Sequence, residues 1–150
     1  EEARAFIDAY FEQYPGIRRY IDETKQMALE KGYVTTLRGR RRDFSRLARL
    51  KGPQRTAAER EAINMPIQGT AADIMKQAML DLHQALQDRR WRSRMLLQVH
   101  DELVLESPEE EVEAVVELIR DKMCRAYELK APLKVEVEVG QNWLEMSKVE

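Results

Sequence analysis

The pattern with the clearest chemical meaning is an acidic pair between two apolar runs. Residues 96–99 and 103–105 are apolar apart from one Gln, and His100, Asp101 and Glu102 lie at their junction. Such a pattern predicts two short buried strands in a hairpin, with the acids at its tip. Because carboxylates beside buried strands cost free energy unless a cation, a donor or water compensates them, we expect a metal or a proton there.

Asp101 and Glu102 are therefore candidate metal ligands. Neighbouring residues on a regular strand point to opposite faces, so the two acids share an ion only at a turn or bulge. Mg²⁺ prefers oxygen ligands and usually takes one or two carboxylates together with substrate phosphates. A solvated Asp-Glu turn is the alternative, and this pattern alone leaves both interpretations open.

A second candidate site is formed by Arg60, Asn64 and Gln68, which are spaced four residues apart. The spacing places Arg60 and Asn64 on one helix face. Guanidinium and amide groups can hydrogen-bond the purine N3 and pyrimidine O2 atoms that base pairs present in the minor groove. Three polar residues on a wet helix face are the alternative. The small residues 69–72 favour the first interpretation because they permit the close approach of a backbone or helix.

A basic run, Arg40, Arg41 and Arg42, follows the turn expected at Arg38-Gly39. Guanidinium groups suit phosphate oxygens because they bind them in a bidentate manner. The run belongs to a charge asymmetry. Residues 31–60 hold ten Lys and Arg against two acids, whereas residues 101–150 hold six against fourteen. This distribution is typical of a protein that holds a polyanion in one part and a divalent metal in another.

Composition limits the class of protein. With 150 residues and 35% charged residues, the chain is long enough for one well-solvated globular domain. No apolar run approaches the roughly 18 residues that a membrane span needs. The single cysteine, Cys124, excludes an internal disulfide, fits a reducing cytoplasm and is expected to be buried on a helix. The opening Glu-Glu within a helical pattern indicates a piece of a longer polypeptide.

Hydrophobic periodicity predicts an α+β fold, with helices leading into a small antiparallel sheet. Helices are expected at about residues 1–14, 17–31, 53–65, 70–86 and 108–123, and strands at 33–37, in the hairpin and at 133–139. Residues 40–52 are expected to form a basic loop.

Several residues are expected to mark helix ends. Pro66 lacks a backbone donor and should break or kink a helix. Thr70 with Asp73 resembles a capping box. Ser107 is a plausible N-cap, with Pro108 at the first helical position and Glu110 bonding back to the cap.

Three motifs together resemble a known family. They are Gly-Tyr-Val-Thr-Thr-Leu at 32–37 with Gly-Arg-Arg-Arg at 39–42, Asn-Met-Pro-Ile-Gln-Gly-Thr-Ala-Ala-Asp at 64–73, and Gln-Val-His-Asp-Glu-Leu-Val at 98–104. In this order they resemble the C-terminal part of family A DNA polymerases, with the bacterial DNA polymerase I type nearest. The resemblance implies that residues 1–65 end the fingers and that residues 66–150 form the rear of the palm.

The resemblance also implies roles for single residues. Asp101 would be a catalytic ligand of two magnesium ions, and Glu102 would assist at the same site. His100, Gln68 and Arg60 would lie along the primer end and the minor groove of the newest base pair. The remaining DNA contacts would come from Asn64 nearby and, on the backbone, from Arg40, Arg41 and Arg42.

The implied reaction is attack of a primer 3′-hydroxyl on the α-phosphate of a deoxynucleoside triphosphate. The implied partners are primer–template DNA, deoxynucleoside triphosphates and the N-terminal remainder of the polymerase, in the cytoplasm at the bacterial nucleoid and with no membrane. The family's other metal-binding Asp and its nucleotide-gripping helix have no counterpart here. We therefore expect the isolated chain to bind magnesium poorly and to be inactive.

Two other functions fit the same residues. A non-catalytic DNA-binding remnant of a polymerase would use the basic segment equally well. A single-subunit RNA polymerase would share the palm, although Glu102 and the run at 68–73 favour the DNA enzymes.

Overall fold

The computed structural model describes residues 2–149 and has mixed helices and short strands. The helices are α1 (Glu2–Gln13), α2 (Pro15–Lys31), α3 (Gly52–Asp88) and α4 (Val112–Cys124), with 3₁₀ helices at Leu47–Arg49 and Glu109–Glu111. The strands are β1 (Tyr33–Thr35), β2 (Arg41–Asp43), β3 (Arg94–Val99), β4 (Glu102–Glu106), β5 (Val137–Gly140) and β6 (Met146–Val149). The predicted α+β class is confirmed. Among residues 2–149, none of the helices has both the length and the apolar character that a membrane span requires.

The six strands form three separate antiparallel pairs, β1 with β2, β3 with β4, and β5 with β6. In the first pair Val34 lies opposite Arg42. In the second, Val99 lies opposite Glu102, so that only His100 and Asp101 connect the strands. The antiparallel hairpin that the sequence predicts at this position is confirmed.

The chain divides into two compact units, one ending at Ala71 and the other beginning at Ala72. The core of the first unit is formed by buried side chains of α2, β1, α3 and the segment after β2: Ala28, Val34, Phe44, Leu47, Ala62 and Met65. The core of the second unit comes from the end of α3, α4 and β5: Leu82, Ala85, Leu86, Val115, Val116, Leu118, Ile119 and Val137. The assignment of residues 1–65 to fingers and 66–150 to palm stays a prediction.

In the first unit, a tight reversal joins α2 to β1. Gly32 ends α2 in a left-handed conformation with φ of 70°, which glycine adopts without steric cost. Its carbonyl oxygen accepts the Phe44 N–H at 2.7 Å, which extends the pairing beyond β1 and β2. The basic loop predicted at 40–52 is wrong in part, because these contacts turn its first residues into β2.

Pro66 was expected to break or kink a helix, and the break is wrong, because α3 runs through it from Gly52 to Asp88. An interior proline costs a helix about 3 kcal/mol or more when nothing compensates. Here the buried side chains of Ala62 and Met65 precede it, and the Thr70 hydroxyl donates to the Pro66 carbonyl oxygen at 2.5 Å. Thr70 is therefore inside a helix, and its predicted capping box with Asp73 is also wrong.

The hairpin is less buried than its sequence suggests. No residue of β3 or β4 is fully buried. The register shifts between Met95 and Leu97, so Leu96 is an extra residue in β3. Met95 packs against the core of the second unit, whereas Leu96 and Leu97 are each about half exposed. The expectation of two buried strands is therefore wrong, because the pair has only two strands and only Met95, Leu103 and Leu105 pack against the core.

Two further predictions of local structure are wrong. Ser107 does not cap α4, because a 3₁₀ turn at Glu109–Glu111 precedes the helix and Glu110 pairs with Arg92 instead. The strand expected at 133–139 is shorter and starts at Val137, and its partner β6 was not predicted. Cys124 does end α4, but it is only partly buried.

Candidate nucleic-acid groove and carboxylate turn

The polar triad formed by Arg60, Asn64 and Gln68 lies in one surface groove of the first unit. The groove encloses about 450 Å³ and lies between β2 and one face of α3. Its walls are formed by Arg42, Ala57, Arg60, Glu61, Asn64, Met65 and Gln68. The position of Gln68 after a proline made its direction uncertain from sequence. Because Pro66 does not interrupt α3, Gln68 lies on the same helix face as Arg60 and Asn64. Five of its seven lining residues carry charged or amide side chains, the kinds of side chain that hydrogen-bond nucleic acids.

The helix that carries the triad is held in place by α2. The Tyr20 hydroxyl donates to the backbone carbonyl of Ile63 at 2.6 Å. Burial raises the pKa of Tyr20, which favours the protonated hydroxyl that donates this hydrogen bond. Since Asn64 follows Ile63 directly, the bond fixes α3 at the middle of the triad.

The small residues after Gln68 accommodate the turn that follows β1. A Cβ atom on Gly69 would lie 2.7 Å from the Thr36 methyl carbon, which is closer than side chains tolerate. The Leu37 N–H donates to the Thr70 hydroxyl at 3.0 Å. The close approach that the sequence suggested is therefore made by the protein's own backbone, and Ala71 stays exposed.

The three arginines of the basic run have three different surroundings. Arg40 donates to the Gly69 carbonyl oxygen at 3.0 Å. The Arg41 guanidinium lies over the Tyr33 ring, 4.7 Å from its centroid. Of the three, Arg42 alone lines the groove, where it pairs with Glu61. The structure thus brings one of the three predicted phosphate contacts to the triad.

Glu61 is the groove residue that sequence reasoning missed. Its position three residues before Asn64 indicated a shared helix face, because residues three apart are neighbours on a helix. Its partner Arg42 lies on β2, where a loop was predicted. An ion pair between a helix and an unpredicted strand cannot be read from spacing.

The predicted metal ligands lie at the hairpin tip in the second unit. Asp101 is in the turn, Glu102 starts β4, and both are exposed. His100 has a positive φ of 55°, a conformation that costs a non-glycine residue about 1–3 kcal/mol and that clusters at functional sites. The Gln98 amide donates to the His100 carbonyl oxygen at 3.0 Å, which supports the turn from one side.

The carboxylates of Asp101 and Glu102 fit a magnesium ion in kind but not in number. Mg²⁺ takes oxygen ligands and is usually bound through one or two carboxylates with substrate phosphates. Within residues 2–149, no group of three or more His, Cys, Asp or Glu side chains is placed to hold a metal. Two carboxylates supply only part of a magnesium coordination shell, so a magnesium site at the tip would need further ligands.

A hydrogen-bond network holds the base of the hairpin. The Glu111 carboxylate accepts the backbone N–H groups of Arg92 at 3.0 Å and Ser93 at 2.9 Å, together with the Ser93 hydroxyl at 2.6 Å. The hydroxyls of Ser93 and Ser107 lie 2.6 Å apart and join the residue before β3 to the residue after β4. The Ser93 hydroxyl, and then the Arg92 N–H, lower the pKa of Glu111.

Comparison with known proteins gives consistent results over nearly the whole chain. The family model for DNA polymerase family A matches residues 1–145. DNA polymerase I of Chloroflexus aurantiacus is 58% identical over 146 residues, which are 97% of this chain and 15% of that protein. The thermostable DNA polymerase I of Thermus aquaticus is 52% identical over 145 residues, or 96% of this chain and 17% of that protein.

A solved structure with a similar fold was also found. It is the POL domain of Pol1 from M. smegmatis in complex with DNA primer-template and dNTP. It is 45% identical to this chain, with a TM-score of 0.84 over 89% of this chain and 24% of that one. The chain thus spans only 15% to 17% of the length of the two curated relatives above.

Proposed function

Because the chain belongs to DNA polymerase family A, we propose that it carries part of the active site of a template-directed DNA polymerase. In the complete enzyme, deoxynucleotides would be added to the 3′ end of a primer. The observation that carries this proposal is the hairpin tip, where a two-residue turn exposes Asp101 beside Glu102. The family resemblance assigns these two residues to catalysis.

Asp101 and Glu102 would hold divalent magnesium, two ions being expected in the complete enzyme. When bound, such ions lower the pKa of the attacking hydroxyl and stabilise charge on the leaving pyrophosphate. Asp101 is the better ligand because its short side chain stands on the turn itself. The strained backbone at His100 supports this role, since it fixes the direction in which the turn presents the acid.

Arg60, Asn64 and Gln68 would contact the minor groove of the newest base pairs. The acceptors there occupy the same positions in all Watson–Crick pairs, so these side chains test the shape of a pair without reading its sequence. Their shared face on one helix supports the proposal. His100 would lie at the primer end, and Arg40, Arg41 and Arg42 would contact the DNA backbone.

The isolated chain would not polymerise, because it presents too few carboxylates for the magnesium site. The proposed partners are therefore the rest of the polymerase, primer–template DNA and deoxynucleoside triphosphates, in the cytoplasm of a bacterial cell. Primer extension with magnesium tests this. We expect no extension by this chain alone and restored extension when the preceding segment of the polymerase is added.

Asp101→Ala in the full-length polymerase tests the site itself. We expect nucleotide incorporation to be abolished while primer–template binding survives, because the substitution removes a ligand and leaves the groove intact. Asp88→Ala, at the exposed end of α3, is the matched control and should extend primers normally. Normal extension by Asp101→Ala would refute the assignment. DNA binding without extension by the unaltered full-length protein would favour a non-catalytic DNA-binding remnant.

A further inference from the structure

Glu61 is an acid in the wall of a groove whose other charged side chains are arginines. It lines the groove together with Arg42 and Arg60, and its carboxylate pairs with Nη2 of Arg42. A surface that binds phosphate gains nothing from this acid by simple attraction, because the carboxylate repels a polyanion. Its contact with Arg42 therefore calls for a separate explanation.

We propose that Glu61 competes with a backbone phosphate of the bound duplex for the Arg42 guanidinium. In the free protein Arg42 pairs with Glu61, and in the DNA complex Arg42 pairs with a phosphate. Glu61 thereby lowers the affinity for primer–template DNA and makes release easier. This inference rests on the function proposed above and adds to it a residue that tunes DNA affinity.

The exposure of the pair makes such an exchange easy. The side chains of Arg42 and Glu61 are 53% and 49% exposed. Ion pairs this accessible contribute little to stability, because water and salt screen them and both side chains lose freedom. A phosphate offers Arg42 a bidentate partner of at least equal strength. The guanidinium also lies over the ring of the buried Phe44, 6.0 Å from its centroid, which is the outer limit of a cation–π contact, so little holds it besides Glu61.

The neighbouring arginines do not share this freedom. Arg40 is bonded to the Gly69 carbonyl oxygen, and Arg41 stacks on Tyr33. Exchange of Arg40 would expose a backbone acceptor, and exchange of Arg41 would remove a ring contact. Arg42 pairs with another exposed charge, and its contact with the Phe44 ring is longer than that of Arg41 with Tyr33, so a phosphate can take it over at low cost.

Glu61→Gln in the full-length polymerase tests the competition. We expect Kd for primer–template DNA to fall by about two- to fivefold, the range that corresponds to an exposed ion pair. Salt gives a second readout. Each phosphate contact adds about 0.9 to the slope of log K against log salt. Salt also weakens the Arg42–Glu61 pair that must break on binding, and this offsets part of the loss of DNA affinity with salt. Without Glu61 this offset disappears, so the slope should be steeper in Glu61→Gln.

Arg42→Gln shows whether Glu61 acts through Arg42. With Gln at position 42 no pair exists to be broken, so adding Glu61→Gln should leave the salt slope unchanged. Steepening by Glu61→Gln in both backgrounds would mean that Glu61 acts only by general repulsion, which overturns the proposal. Glu110→Gln is the matched control, because Glu110 forms an exposed pair with Arg92 outside the groove. Its Kd and slope should equal those of the unaltered protein.

Two further measurements separate this inference from the function on which it rests. KM for the deoxynucleoside triphosphate should not change in Glu61→Gln, because the competing phosphate belongs to the duplex. A fall in that KM with unchanged duplex affinity would overturn the proposal. If Glu61→Gln matches Glu110→Gln while primers are still extended, the competition alone is wrong. If the unaltered full-length protein neither binds nor extends primer–template DNA, the proposed function is wrong.

Discussion

The groove and the hairpin tip hold their candidate functional side chains in different ways. In the groove, Arg60, Asn64 and Gln68 stand on one long helix, which is anchored by the buried residues Ala62 and Met65. At the tip, the acids lie at the turn and the start of β4, in a hairpin whose two strands contain no fully buried residue. The groove therefore has a buried framework separate from its contact residues, whereas the hairpin combines its own hydrogen bonds with the partly buried Met95, Leu103 and Leu105.

This difference decides what a substitution reports. An exposed groove residue can be removed while α3 keeps its place, so the loss measures contact with DNA. A framework residue such as Gly69 contributes no contact of its own, so its loss measures the packing of the turn after β1. At the hairpin these two effects overlap, because the hydrogen bonds that hold the base also position the turn.

The largest effect on the groove side is expected from Gln68→Ala and Arg60→Ala in the full-length polymerase. Each change removes donors to the minor groove, and primer extension should slow by about tenfold or more. The ratio of mispaired to matched extension should also change. Single-turnover extension of matched and mismatched primer ends measures both. Gln54→Ala, at an exposed position on α3 outside the groove, should leave both unchanged. Unaltered rates and fidelity in the first two variants would contradict the minor-groove role.

A smaller effect is expected from Gly69→Ala, which alters the framework. The added methyl group meets the Thr36 methyl carbon at 2.7 Å. Overpacking of this kind costs about 1–3 kcal/mol, and the better helix propensity of alanine returns about 1 kcal/mol of it. We therefore expect a net loss of up to about 2 kcal/mol of unfolding free energy, measured by urea denaturation.

Two variants separate this clash from other effects of alanine. Thr36→Ser removes the clashing methyl carbon and keeps the hydroxyl that accepts the Arg40 N–H, so it should restore most of the stability of Gly69→Ala. Gly16→Ala, on α2 with open space around its Cβ position, should not destabilise the protein. If Gly69→Ala were as stable as Gly16→Ala, the turn after β1 would be able to move away from the added methyl group without a loss of stability.

The groove was predictable from sequence where the signal is local. The spacing of Arg60, Asn64 and Gln68 is a property of one helix, and the structure places them together. The continuity of that helix through Pro66 was not predictable, because it depends on tertiary contacts that override the local penalty. Glu61 was missed for the same reason, since its meaning comes from Arg42 on another element.

At the hairpin, the position of the turn was predictable and its burial was not. The polar residues His100, Asp101 and Glu102 between two apolar runs predicted the turn at His100 and Asp101, because turn preferences depend on local sequence. The bulge at Leu96 carries no sequence signal of its own, yet it shifts the register of the two strands. Ser107 was misjudged as a cap because its real partner, Ser93, is distant in sequence.

The smallest effect is expected on the unfolding free energy, from a substitution of Glu111 at the base of the hairpin. Hydrogen bonds from the Ser93 hydroxyl and the Arg92 N–H lower the pKa of Glu111 below its ordinary value of 4.5. The folded protein therefore favours the charged carboxylate more than the unfolded chain does. This stabilisation is complete above pH 4.5 and is lost as the pH falls through the lowered pKa of the folded state. Glu111→Gln should lower the unfolding free energy near pH 7, and its difference from the unaltered protein should shrink in acid.

Amide exchange tests whether this network holds the hairpin or only adds to general stability. The Ser93 N–H donates to Glu111, so Glu111→Gln should speed the exchange of the Ser93 amide hydrogen with solvent. The amide of the fully buried Leu82 is the reference, and its exchange rate should change only as far as the global stability changes. Glu109→Gln, in the same 3₁₀ turn and exposed, removes an equal charge and should leave the Ser93 amide protected. Equal exchange in the two variants would mean that the base stays closed without Glu111. The turn that presents Asp101 would then be held by the strand pairing, the Ser93–Ser107 contact and the Gln98 amide.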